Sequence, residues 1–129
     1  MTQPAARAFL CKAEEYLASA QDNLSQERFT VAAGDAIHAG ISAKDAIVTA
    51  LTGTTSKGKD HTMAVAELRR ALGDRTEAAS AERALLELVA AKSEVEYGTT
   101  AVLASKATAL VRRAVALCEL ASKIVRSSR

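Results

Sequence analysis

Asp35, His38, Ser42, Asp45 and Thr49 fall on one stripe of the segment 28–51 when it is wound at 3.6 residues per turn. His38, Ser42 and Asp45 stand at i, i+4 and i+7, a spacing that lets side chains hydrogen-bond along a helix. A histidine with a carboxylate on the same stripe suits general acid–base chemistry or a phosphate contact. The same stripe can instead be a solvated or interhelical hydrogen-bond row that only fixes packing. The two readings compete for the same residues.

His61 stands at the first turn of a later helix, on the face shared by Val65, Leu68 and Leu72. A helix N-terminus disfavours the imidazolium, so a neutral ring is expected there, in reach of His38 or Asp45 on a neighbouring helix. The bland alternative is a satisfied core histidine closing the end of a bundle. Lys92 and Glu96 form an i, i+4 pair on the side that carries Leu85 and Val89, with Tyr97 next in the chain. They either complete a site or reach out at the rim. Lys57 and Lys59 precede a helix start, where an anion can be held, although Asp60 as the cap opposes it. The run from Gly53 to Lys59 fits the glycines and lysine of a phosphate-binding loop, but Asp60 replaces the required hydroxyl and no strand precedes it. Arg112, Arg113, Lys123 and Arg126 read as a solvated face first and a phosphate patch second. No Cys/His spacing suits zinc and no carboxylate cluster suits a di-metal bundle, so neither metal nor cofactor is expected.

Five helices must position these groups. Thr2 and Pro4 start the first, which runs to about Leu24 with Phe9, Ala13, Leu17, Ala20 and Leu24 on its apolar stripe. Ser25 to Glu27 is a short link, so the second helix, Arg28 to Leu51, is its antiparallel neighbour. This second helix has two apolar faces. Gly34, Ile37, Ile41 and Val48 form one; Ala33, Ala36, Gly40, Ala43 and Ile47 form the other. Such a helix belongs at the centre. A loop covers Thr52 to Lys59, and Asp60 caps a third helix that ends at Gly73. Asp74 and Glu77 read as a capping box for the fourth helix, with Leu85, Leu86, Val89 and Ser93 inward and an end near Gly98. After an irregular link, Ser105 caps the last helix, whose inner face is Leu110, Ala114, Leu117, Cys118, Ala121, Ile124 and Val125. The expected fold is an all-α, up-and-down bundle of about five helices, one domain over 1–129.

The bulk numbers narrow the functional class. A length of 129 residues fits one domain with its own core. Aromatics make up 3% of the chain, so that core is aliphatic and alanine-rich. A net charge of +2 does not announce a polyanion partner. No signal peptide or membrane-length apolar run is visible, and membrane partners are not expected. Cys118 lies on an inner face and Cys11 opposite one, so no bridge between them is expected and the cytoplasm is the natural compartment.

Several word-like stretches then combine. They are His38-Ala-Gly-Ile-Ser-Ala-Lys-Asp45-Ala, a Gly/Ser/Lys loop, Gly58-Lys-Asp60-His61 before Ala64-Val65, and Lys92 with Glu96-Tyr97. In this order, and with Lys12-Ala-Glu-Glu-Tyr16 ahead of them, the chain resembles the HEPN family (higher eukaryotes and prokaryotes nucleotide-binding) in its small stand-alone bacterial form. The resemblance implies a helical bundle, often a homodimer. It also implies a nucleotidyltransferase partner in toxin–antitoxin or defence pairs, and in many members ribonuclease activity. The ribonuclease signature is an arginine followed, after four to six residues, by a histidine. Here those places hold Thr54, Thr55 and Ser56 before His61, and Val31, Ala32 and Ala33 before His38.

The leading expectation is therefore a HEPN-like protein that binds a nucleotide, RNA or a nucleotidyltransferase partner without the usual cleavage centre. Its ligand-binding candidates are His38, Ser42, Asp45, His61, Lys92, Glu96 and Tyr97, with Lys57 and Lys59 as anion contacts. His38, His61 and Asp45 would carry any catalysis. The alternatives are a divergent ribonuclease toxin and a non-catalytic helical dimerisation or protein-interaction module.

Overall fold

The computed structural model describes residues 3–55 and 61–127. Five helices follow one another: α1 (Pro4–Ser25), α2 (Phe29–Thr52), α3 (His61–Leu72), α4 (Ala78–Tyr97) and α5 (Ala104–Ser127). Among the described residues there is no strand. The all-α bundle expected from periodicity is what forms. No helix of the described residues is long and apolar enough to cross a membrane.

α2 is the central element and packs against all four other helices. Its two apolar faces explain this. Ala32, Ala33, Ala36, Ile37, Ala39, Ala43, Ala46, Ile47 and Val48 are all buried. α1 meets it with Ala6, Ala13 and Ala20, which are buried in turn. Alanine facing alanine lets two helix backbones approach closely, and the larger Leu10, Leu68, Leu85, Leu88, Leu110 and Leu117 fill the remaining space. Each such buried leucine or isoleucine contributes on the order of 1.5–3 kcal/mol of transfer free energy.

Gly40 shows how tight this centre is. A β-carbon placed there would lie 2.5 Å from Leu88 Cδ1 and 3.5 Å from Leu117 Cδ1. Both leucines are buried, so α4 and α5 close over α2 at a position that only glycine leaves open.

The turns are set by local chemistry. Gly53 (φ 93°) and Gly73 (φ 58°) end α2 and α3 in the left-handed region. Their N–H groups donate to the carbonyls of Thr49 and Arg69 at 2.9 and 3.1 Å. Gly73 is the terminator read from the sequence. The α1–α2 link is closed by Glu27, which also takes a positive φ of 61°.

The start of α4 differs from the expected capping box. Ala78 N–H donates to the Arg75 carbonyl at 3.0 Å, and Glu77 holds the cap position without a side-chain cap bond. The Glu77 carboxylate instead accepts from Lys123 Nζ on α5 at 3.0 Å. That bond, first among its causes, holds the Glu77 carboxyl below its ordinary range. Ser105 lies one residue inside α5 rather than capping it. Asp60, expected to cap α3, lies outside the described residues.

The inward face of α4 also departs from expectation. Leu86 and Ser93 are exposed. Ala81, Ala84, Leu85, Leu88 and Ala91 point inward instead. Small residues mark the contact because α4 lies close to α2, and a large residue there would hold the helices apart. The inner face of α5 is as read: Leu110, Ala114, Leu117, Cys118, Ala121, Ile124 and Val125 are all buried.

The register of the pairs is read from side-chain contacts. Tyr16 stacks on His38 and Ser19 bonds Asp35, so α1 and α2 are antiparallel. Arg69–Glu82 joins α3 to α4, and Arg113–Glu87 with Lys123–Glu77 sets α5 antiparallel to α4. Asp45 lies near α3 at Glu67, while Val48 and Thr52 lie near Arg70 and Ala71. α3 therefore advances along α2 in the same sense, so the α2–α3 link departs from the expected up-and-down order.

Candidate functional site

The polar stripe of α2 does not form one site. Ser42 and Thr49 are buried. No hydrogen bond joins His38, Ser42 and Asp45 among the described residues, so the expected polar row is absent. The helix rotates its stripe through three environments: a rim at His38, a core position at Ser42 and an interhelical network at Asp45.

The network at Asp45 is built around a residue that the stripe did not include. Lys44 is 2% exposed. Its Nζ lies 2.5 Å from Glu67 Oε1 on α3 and 3.0 Å from Asp45 Oδ1. It also donates to Thr55 Oγ1 at 3.1 Å, and Thr55 donates to Asp45 Oδ1 at 3.0 Å. Two carboxylates and a hydroxyl thus share one buried ammonium. A buried lysine is tolerable only with such partners. The arrangement joins α2, α3 and the segment after α2, and its groups are occupied with one another.

The rim at His38 gathers groups from three helices. His38 Nε2 lies 3.4 Å from Glu96 Oε1 on α4, and the imidazole is 43% exposed. The other oxygen of Glu96 accepts from Lys92 Nζ at 2.7 Å. Tyr16 of α1 stacks on the imidazole with ring centroids 5.1 Å apart and planes 29° apart. Tyr97, the last residue of α4, is 77% exposed. Its ring centroid lies 6.0 Å from Lys92 Nζ. Of the candidates, His38, Lys92, Glu96 and Tyr97 come together here, whereas Ser42 and Asp45 do not. His61 begins α3, but its side chain lies outside the described residues, as do Lys57 and Lys59.

Local sequence explains the assembly. Lys92 and Glu96 are one helical turn apart near the end of α4, where that helix clears the core, so they reach the rim while Ala91 stays buried. Tyr16 borders the apolar stripe of α1 at the level of His38. A shallow cleft of about 370 Å³ continues from it, lined by Lys12, Glu15, Tyr16, Ser19 and Asp35. Asp35 accepts from Ser19 Oγ at 2.6 Å and from Asn23 Nδ2 at 3.1 Å.

The chemistry open to this rim is limited. A carboxylate against an imidazole orients the ring, as an acid–base pair requires. Glu96 is at the same time held by Lys92. No hydroxyl or thiol hydrogen-bonds His38 among the described residues. No group of three or more His, Cys, Asp or Glu side chains among the described residues is placed to hold a metal ion. Counting the cleft, Lys12 and Lys92 face Glu15, Asp35 and Glu96, an excess of acid over base that does not favour a polyanion.

Tyr16 is the member that motif reasoning left out of the site. Its signal is an aromatic bordering an apolar stripe in a chain almost without aromatics. Lys44 had a plainer signal: it sits at i+7 from Ile37 and i−4 from Val48, inside an apolar face. Compared with protein-family models and with curated proteins, the sequence matches none.

Proposed function

We propose that this chain is a HEPN-like recognition module that binds a protein partner through the Tyr16–His38–Glu96–Lys92–Tyr97 rim, in a toxin–antitoxin or defence pair. By the resemblance, that partner is a small nucleotidyltransferase. The observation that carries the reading is the internal pairing of the rim's charges beside an exposed tyrosine. Glu96 lies against both His38 and Lys92, while the Tyr97 ring stands in water. Exposed aromatics beside ion pairs are the composition of interface anchors. The missing arginine and the acidic balance of the rim speak against RNA cleavage.

A second reading is nucleotide or RNA binding. It is favoured by the ammonium of Lys92 beside the Tyr97 ring, since a base stacked on Tyr97 would bring its phosphate towards Lys92.

The test has two arms. Purified protein is mixed with labelled cellular RNA at low salt, following both mobility and fragment length. In parallel it is co-expressed with any small nucleotidyltransferase found encoded beside it. The reading expects no cleavage, no retardation, and a stable complex that Tyr97→Ala weakens about tenfold or more with the helical signal unchanged. Retardation without cleavage selects the nucleotide reading. Cleavage that His38→Ala abolishes overturns both and restores a divergent ribonuclease.

A further inference from the structure

A groove of about 510 Å³ lies between the C-terminal half of α4 and the N-terminal half of α5. That volume falls in the range of small-molecule sites, about 300–1,000 Å³. Ala91 and Leu110, both buried, form its floor, and Val95 and Val102 add apolar surface. The connection 98–103 closes one end and is pinned to α2, since Val102 N–H donates to Thr30 Oγ1 at 3.3 Å. Leu103 stands at that end and is 71% exposed. A groove shut at one end suits an occupant that stops there. A small molecule does so; a partner helix running along the groove does not.

Two opposite charges stand at its lip without partners. Glu94 lines the α4 side and Lys106 the α5 side, and both are exposed. The ion pairs Glu77–Lys123 and Glu87–Arg113 fix the register of the two helices. Carried on by about two turns, that register sets Glu94 level with Lys106. The first two pairs close across the helices, but Glu94 and Lys106 do not. Among the described residues neither makes a side-chain hydrogen bond or ion pair. Glu87, the remaining charge in the lining, is already taken by Arg113.

We propose that the groove binds a free α-amino acid with a large apolar side chain. Its ammonium meets Glu94, its carboxylate meets Lys106, and its side chain lies on the apolar floor under Leu103. Charge selects this class of ligand. A fatty acid or other simple anion would set its carboxylate against Glu94. A simple amine would set its ammonium against Lys106. A polypeptide segment carries no such pair of charges side by side in its main chain. A ligand with both charges on one carbon satisfies both walls at once, and its apolar body leaves water together with Leu103. The proposal does not depend on the rim reading, because His38, Lys92 and Tyr97 take no part in it.

The test is a titration of the full chain with L-leucine and L-phenylalanine at neutral pH, followed by amide NMR shifts, which locate the site and report the affinity together. At least one of the two is expected to give saturable shifts clustered over residues 87–110. Glycine, which lacks the apolar body, is expected to give none. The N-acetyl derivative of the amino acid that binds has lost its ammonium, and the amide derivative has lost its carboxylate. Each is expected to bind about tenfold or more weakly. Lys106→Gln should abolish the preference for the amino acid over its amide and keep the preference over its N-acetyl form. Glu94→Gln should do the reverse, which no general effect of surface charge would produce. Both positions are exposed, so both variants should keep the helical circular dichroism of the wild type. The proposal is overturned if neither amino acid shifts the groove at about 10 mM, where even a millimolar site is nearly filled. It is also overturned by derivatives that bind as tightly as the amino acid, or by variants that alter neither preference.

Discussion

Replacing Lys44 with methionine tests whether its buried charge network fastens α3 and the segment after α2 onto the central helix. The change keeps the length and apolar stem of the side chain and removes only its charge and donors. Lys44 is 2% exposed and is the shared partner of Glu67, Asp45 and Thr55. Without it, Asp45 and Glu67 lose the cation they share. Removing one partner of a buried ion pair costs about 3–5 kcal/mol. Asp45 and Glu67 keep roughly a fifth of their side-chain surface in water, at 21% and 22%, which places the cost towards the lower end, about 3 kcal/mol. A domain of this size has about 5–15 kcal/mol in total, so the loss is a large fraction. Urea unfolding followed by far-ultraviolet circular dichroism reads it directly. With a slope of about 1–3 kcal/mol per molar urea, the midpoint should fall by about 1–3 M. The triple change Lys44→Met/Asp45→Asn/Glu67→Gln removes the two like charges of the network together with its ammonium and should recover most of the loss. A midpoint shift for Lys44→Met within the scatter of repeat measurements would refute the reasoning. So would a triple variant no more stable than the single one.

Two further outcomes follow from buried groups. Among the described residues Thr49 Oγ1 is buried without a hydrogen-bond partner, so Thr49→Val removes a desolvated hydroxyl at constant shape. It should leave stability unchanged or raise it by up to about 1 kcal/mol in the same urea assay; a clear loss would mean that the hydroxyl is satisfied. The Cys118 thiol is pushed up from its ordinary value near 9.0 to about 12, first by burial and then by the nearby carboxylates of Glu14 and Glu119. The unfolded thiol releases its proton from about pH 9 while the folded one keeps it, so stability is full below that pH and falls as pH rises towards the folded value. The slope from this one group is at most about 1.4 kcal/mol per pH unit. Urea midpoints measured at about pH 8 and about pH 11 should therefore fall further for the wild type than for Cys118→Ala; equal falls would discard the assignment.

The fold was legible because its signal is repeated along each helix. Apolar periodicity named α2 as the centre, found the inner face of α5 residue by residue, and placed Cys118 in and Cys11 out. Gly73 worked as a terminator because its φ of 58° is a local backbone requirement. The errors fell where a neighbour decides. Nothing near Glu77 in sequence says that Lys123, on another helix, will take its carboxylate from the cap. Leu86 is as apolar as Leu85, and only the close approach of α4 to α2, made through alanines, turns the first outward and the second inward.

The site shows the same limit more sharply. A stripe on a helix wheel says which residues share a direction, not what meets them there. α2 is long enough to pass a rim, the core and a second helix in turn. His38 finds Glu96 and Tyr16, Ser42 is buried, and Asp45 is bound to Lys44 and Thr55. Lys92 and Glu96 were readable as a pair because both lie on one helix, but their meeting with His38 depends on the antiparallel seating of α4 on α2. That seating passes through Gly40, where Leu88 fits against bare backbone. The small-residue face of α2 thus has a structural consequence at a distance. By letting α4 come close, it brings the Glu96 carboxylate within 3.4 Å of an imidazole, whereas a bulkier face would hold the two apart.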